Sequence, residues 1–170
     1  MKQTILAVVL GLLIGVLPAT SASVDPIVTE GILNAPVEEV WKVWTTKEGI
    51  ESWMVAKTDI DLRVGATWRT SYSKASNLDD DTAIHQAILA FDPGRMFSFR
   101  TVKWPKNFPF PNAISGAWTV VYFERVTQAR TRITVRMMGF TEDAESQRMR
   151  AFFESGNKMT LDNLVKRFEK

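Results

Sequence analysis

The sequence predicts an α+β domain: a curved antiparallel sheet of about six to seven strands wrapped on one long C-terminal helix, with two short helices after the first strand. Three observations carry this. Apolar residues recur at helical spacing in two regions, from Pro36 to Trp53 and from Glu142 to Phe168. Between them the period is two, in runs punctuated by Gly, Pro and Asp turns, as in consecutive antiparallel strands. Residues 23–170 contain no repeat, low-complexity tract or break in composition, so they read as one domain with enough chain to bury a core.

The first 22 residues stand apart. Lys2 is their one charge, Ile5 to Leu17 is an uninterrupted apolar run, and Pro18-Ala19-Thr20-Ser21-Ala22 follows. That order is the pattern of a secretory signal peptide, with Thr20 and Ala22 suited to the small-residue positions before the cut. A retained anchor is the alternative, but the run falls short of the roughly 20 residues that span a bilayer. The expectation is a secreted or periplasmic chain of residues 23–170, with no stable membrane anchor after cleavage.

Val24 to Leu33 leans towards strand and is closed by Asn34-Ala35-Pro36. Asn34 or Ala35 suits a helix cap and Pro36 the first helical position, where its missing N–H costs nothing. Val37, Val40, Trp41 and Trp44 form one helix face; Thr45-Thr46 interrupts, and Lys47 to Trp53 reads as a second short helix. Ile60 and Leu62 then alternate with charges before a turn at Gly65, and Trp68, Thr70 and Tyr72 alternate on the return. A hairpin centred on Gly65 sets Leu62 opposite Trp68 and Asp61 opposite Arg69. Ser73 to Thr82 is a polar loop, followed by a hairpin of Ile84–Phe91 and Arg95–Lys103 turned by Asp92-Pro93-Gly94. Residues 104–116 hold three prolines and two phenylalanines, which suit neither strand nor helix interior. Strands at Trp118–Arg125 and Thr131–Met138 precede the final helix, Glu142 to Phe168, capped by Thr141. Its inner face is expected to run through Met149, Phe152, Phe153, Gly156, Met159, Thr160, Leu164 and Phe168, with Gly156 marking a bend or a close approach to the sheet.

Composition narrows function. The chain carries 21 basic and 19 acidic residues, a net charge of +2, one histidine and no cysteine. Nucleic-acid binding by bulk charge is disfavoured, and so are disulfides and cysteine-based metal or redox sites. No Gly-x-Ser-x-Gly is present, so a serine-hydrolase elbow is unsupported. Asp79-Asp80-Asp81 lacks the alternating ligands of a Ca²⁺ loop and reads as solvated. No metal or cofactor is expected, and no residue is nominated as catalytic.

The element order resembles the helix-grip fold of the START and birch-allergen-like superfamily, SRPBCC. The finer resemblance is to the branch named after homologues of the Hsp-ninety ATPase activator. It rests on Ala35-Pro36-Val37 through Val40-Trp41 and Trp44, the second helix ending at Trp53, Asp61-Leu62-Arg63-Val64-Gly65, Asp92-Pro93-Gly94-Arg95-Met96, Thr131 to Val135, and Phe152 to Gly156 with Leu161 and Leu164. The match spans nearly all of residues 23–170, with local departures at the loop 104–116 and the acidic loop 79–81. It implies a fold rather than a chemistry, since the superfamily binds hydrophobic ligands, cyclises polyketides or docks on proteins without universal catalytic residues. A signal peptide makes chaperone activation the least transferable implication.

The candidate site is aromatic. Trp68, Tyr72, Phe97, Phe99, Ile133, Val135, Met137, Met149 and Phe152 are placed between sheet and helix, an apolar lining suited to a hydrophobic small molecule. Trp104, Phe108 and Phe110, stiffened by prolines, are placed as a lid or docking patch. A fully packed interior without a cavity is the alternative. Two further readings stay open: a cyclase- or lyase-type enzyme using His85, Tyr72 or Arg100, and a protein-docking module using the loop 104–116.

Overall fold

The structure, a computed structural model, describes residues 24–169; the expected signal peptide lies outside them. Seven strands form one antiparallel sheet in the order β1-β7-β6-β5-β4-β3-β2. They are β1 (Ile27–Leu33), β2 (Lys57–Asp59), β3 (Thr67–Ser71), β4 (Ile84–Asp92), β5 (Met96–Lys103), β6 (Trp118–Thr127) and β7 (Arg130–Met138). The chain meanders from β2 to β7, and β1 completes the sheet beside β7. Helices α1 (Val37–Thr45) and α2 (Lys47–Glu51) follow β1, and α3 (Ala144–Arg167) closes the fold. This is the predicted α+β helix-grip architecture.

The helix starts differ from expectation by small steps. Pro36 is itself the N-cap of α1, extended at φ −60° and ψ 150°, rather than its first helical residue. Thr46 separates α1 from α2 by capping the second helix, its Oγ1 accepting from the Gly49 N–H at 3.1 Å. At α3 the cap is Asp143, not Thr141: its carboxylate accepts from the Ser146 N–H at 2.9 Å, close to the positive end of the helix dipole.

The first hairpin is shifted from its expected register. Asp59, not Asp61, lies opposite Arg69, and β2 ends there. Arg69 pairs with Asp59 and, at 2.8 Å, with Asp79. Gly65, at φ 80°, does turn the chain, but its N–H donates to the Ile88 carbonyl, so the turn hangs on β4 rather than centring β2 and β3.

Helix α3 spans 24 residues, about 36 Å. Its buried contacts are Ser146, Met149, Leu161 and Leu164, with Val165 and Phe168 packed on the main core. Met159, expected inside, is 64% exposed. Gly156 has nothing within 4 Å of where a Cβ would lie; the close approach belongs to Gly31 of β1, 3.2 Å from Val165 Cγ2 by the same measure. A glycine on the strand lets the helix sit down on the sheet.

Two apolar clusters hold the domain. The larger joins the sheet to α1, α2 and the C-terminal half of α3 through Leu33, Val40, Trp44, Trp68, Phe97, Ile133 and Leu164. The smaller joins Ile27, Phe110, Ile114, Met137, Phe140 and Met149 at the other end.

Candidate ligand-binding cavity

A cavity of about 360 Å³ opens where the two clusters meet. Strand alternation supplies its floor: Trp68 from β3, Ile84 and Gln86 from β4, Phe99 and Thr101 from β5, Thr119 from β6, and Val135 and Met137 from β7. The roof is one stretch of α3, with Phe152, Phe153, Asn157, Thr160 and Leu161. Trp44, Trp53 and Met54 close the end near α1 and α2; Trp104, Pro105, Phe108 and Ile114 close the other. Tyr72 and Phe152 line the cavity yet are 72% and 52% exposed, so they mark where it meets solvent.

Of the expected lining, Trp68, Tyr72, Phe99, Val135, Met137 and Phe152 stand on the cavity wall. Phe97, Ile133 and Met149 do not: each is fully buried in a cluster behind the wall. Phe97 lies on the cavity side of β5 but is covered by Trp68 and Phe99, whose ring centroids lie 5.7 and 5.3 Å away. The lid residues Trp104 and Phe108 also reach the cavity. Phe110 is buried behind them, stacked 5.6 Å from Phe108 and 5.7 Å from Phe152.

The loop 104–116 is tied at both ends. The Lys106 N–H donates to the Asp81 carbonyl at 3.0 Å. The Glu145 carboxylate accepts from the Asn112 N–H, the Asn112 side-chain amide and the Ala113 N–H, at 2.9, 3.0 and 3.2 Å. These bonds, led by the Asn112 side chain, hold the Glu145 carboxyl below the usual glutamate range. Gly139, at φ 89°, lets the loop's last turn pass so close that a Cβ would stand 2.0 Å from the Gly116 oxygen. Phe108, Phe110, Phe152 and Phe153 stack between loop and helix, with centroids 5.3 to 6.4 Å apart.

Two polar residues considered for catalysis lie elsewhere. His85 alternates with Ile84 and Gln86 and so points away from the cavity; its Nε2 meets the Leu78 carbonyl at 2.7 Å. Arg100 lies beside Leu89 and Trp118 on the outer face of the sheet. Tyr72 remains at the mouth. Surrounding protein pushes its phenol pKa up through desolvation, but the residue is mostly exposed, so solvation governs and the hydroxyl is neutral at physiological pH. A wider groove outside α1, lined by Glu38, Lys42, Arg95 and Arg125, is open and charged, and the Glu38–Arg125 ion pair occupies its wall.

Gln86, Thr101, Thr119 and Asn157 are wall residues that the sequence reading missed, and Thr160 was expected on the inner face of the helix but not in the lining. For the first two the signal was present: Gln86 alternates with Ile84 and Ile88, and Thr101 follows Phe99 by two. Trp44 was read as a helix-face residue and Trp53 as the end of the second short helix, which stops earlier, at Glu51; their contribution to a cavity depends on how α1 and the turn after α2 lie against the sheet.

A curved sheet gripping a helix around a largely apolar cavity defines the helix-grip class, the SRPBCC superfamily. The family described as activator of Hsp90 ATPase homolog 1-like protein matches residues 34–169, and the chain belongs to it. None of the curated proteins is significantly similar in sequence. Among solved structures, protein MLL2253 from Mesorhizobium loti is 18% identical, with 83% of this chain and 94% of that one covered and a TM-score of 0.65. The Aha1 dimer from Colwellia psychrerythraea is 15% identical, with 86% and 97% covered and a TM-score of 0.66. DynU16, a protein in the dynemicin biosynthetic locus, is 17% identical, with 86% of this chain but 48% of that one covered and a TM-score of 0.64. At these identities the likeness is one of fold.

Proposed function

We propose that this protein is an exported binding protein that holds a hydrophobic small molecule between sheet and helix. The observation that carries this reading is the cavity itself. Its volume lies at the lower end of the range for small-ligand sites, its wall is dominated by aromatic and aliphatic side chains, and a tied loop covers one end. The export half of the proposal rests on the sequence of residues 1–22.

The wall is poorly equipped for acid–base chemistry. Of its residues only Tyr72 titrates, and it is a solvated phenol at the rim, so a cyclase- or lyase-type reaction would have to rely on shape and hydroxyl or amide groups. Protein docking through the loop 104–116 is disfavoured, because its phenylalanines pack on α3 instead of facing outward. Native mass spectrometry of the protein purified from the secreted or periplasmic fraction of its host tests the proposal. The expected result is a stoichiometric small-molecule adduct on a chain beginning near residue 23; an unprocessed, ligand-free chain would count against both halves.

A further inference from the structure

Helix α3 is held firmly at both ends and loosely in the middle. Towards its N-terminus Ser146 and Met149 are buried, and the Glu145 carboxylate grips the loop 104–116. Towards its C-terminus Leu161 and Leu164 are buried, and Val165 rests beside Gly31 of β1. Among the described residues of α3, none between Met149 and Leu161 is buried. Those three or so turns lie over the cavity, which Phe152, Phe153, Asn157 and Thr160 line. They also join the two apolar clusters, since Met149 and Phe153 belong to the smaller and Leu161 to the larger.

Gly156 stands near the centre of that span. Glycine inside a helix is less stable than alanine, because it has more backbone freedom to lose. Close packing can require it, as at Gly31, but nothing lies within 4 Å of where a Gly156 Cβ would be. The surroundings weaken the helix further. Ser155 precedes Gly156, and Ser/Gly pairs are sites where helices kink. The Thr160 Oγ1 donates to the Gly156 carbonyl at 2.8 Å, a back-bond that favours bending. The ion pairs Arg150–Glu154 and Lys158–Asp162, at 3.7 and 2.8 Å, lie one on each side of Gly156, and neither crosses it.

We infer that α3 is a gated roof, with Gly156 the hinge about which residues 150–160 bow away from the sheet. A ligand then enters between Tyr72 and Phe152, where the cavity meets solvent, while both ends of the helix stay seated. What passes through the gate rests on the ligand-binding reading above; the hinge is a property of the empty protein.

Gly156→Ala tests this, because its methyl enters open space and leaves the closed state as it is. Opening should become about fivefold less favourable. In the ligand-free ¹⁵N-labelled protein at pH 7, amides of residues 152–160 should exchange with solvent faster than those of Met149 and Leu164, the signature of a local opening. The variant should slow them about fivefold, in line with the same propensity difference. In stopped-flow mixing with 2-naphthol, read by tryptophan quenching, association and dissociation should both slow by a similar factor while Kd is unchanged. Ser155→Gly should move amide exchange and both rates the opposite way. A middle stretch that exchanges no faster than Met149 and Leu164 overturns the hinge. So do unchanged rates in both variants for a probe that binds, and the binding reading then stands. If 2-naphthol does not bind, the binding reading fails and amide exchange alone decides the hinge.

Discussion

Thr58 shows how a single hydroxyl holds part of the cavity floor. It is 1% exposed, accepts the Trp68 indole N–H at 2.9 Å and donates to the Arg69 carbonyl at 2.8 Å. Thr58→Val keeps the shape but strands a buried donor and a carbonyl, so it should cost about 1–3 kcal/mol. Thr58→Ser should recover most of that. Urea unfolding followed by tryptophan fluorescence checks both, and a Thr58→Val variant as stable as the parent would remove the hydroxyl from the account. Residue chemistry of this kind was only partly legible beforehand. The alternation of Trp68, Thr70 and Tyr72 announced a strand, yet nothing in the sequence said that the Trp68 indole would find Thr58, because that bond depends on the shifted register of β2.

At the scale of elements, the tie between the loop 104–116 and α3 depends on one carboxylate at the first turn of the helix. Glu145 is ionised in that role and its folded pKa is lowered. Its contribution is therefore fully present above the ordinary glutamate pKa and is lost as pH falls through the lowered folded value. Glu145→Gln should lower Tm by about 1–3 °C at pH 7, as a solvent-screened tie implies, and the gap to the parent should close as pH falls below about 4. Melts across that range measure it; a gap independent of pH would show that charge is not what holds the loop. The proline and phenylalanine content marked this segment as an irregular cover. Its anchoring could not be read in advance, since Asn112 and Glu145 are 33 residues apart and meet only once α3 is laid across the sheet. The Thr141 cap failed for a local reason: Asp143 stands two residues nearer the first turn, and its carboxylate is the better acceptor for the helix N–H groups.

For the molecule as a whole, the period-two runs, the Gly and Pro turns and the final helix were enough to name a helix grip, because each is a local signal repeated along the chain. The cavity was harder to locate. Alternation brought Trp68, Phe99, Val135 and Met137 to one wall, but it could not separate residues that face open space from those covered by a neighbour, as Phe97, Ile133 and Met149 are. Alternation failed only past Ile88 on β4, where a register shift at Ile88/Ala90 breaks the pleat; Phe91, one face away from Ile88 by simple counting, packs on the core with it. Among the described residues no helix is long and apolar enough to cross a membrane.

The six tryptophans offer a direct test of where a ligand goes. Trp44, Trp53, Trp68 and Trp104 line the cavity, Trp41 lines the outer groove, and Trp118 lies on the outer face of the sheet. Titrating the ¹⁵N-labelled protein with a neutral aromatic probe, 2-naphthol, should move the indole N–H resonances of the first four along one saturable 1:1 curve and leave Trp41 and Trp118 in place. Shifts confined to Trp41 or Trp118, or no saturable shift at any indole, would contradict a ligand-binding cavity between sheet and helix.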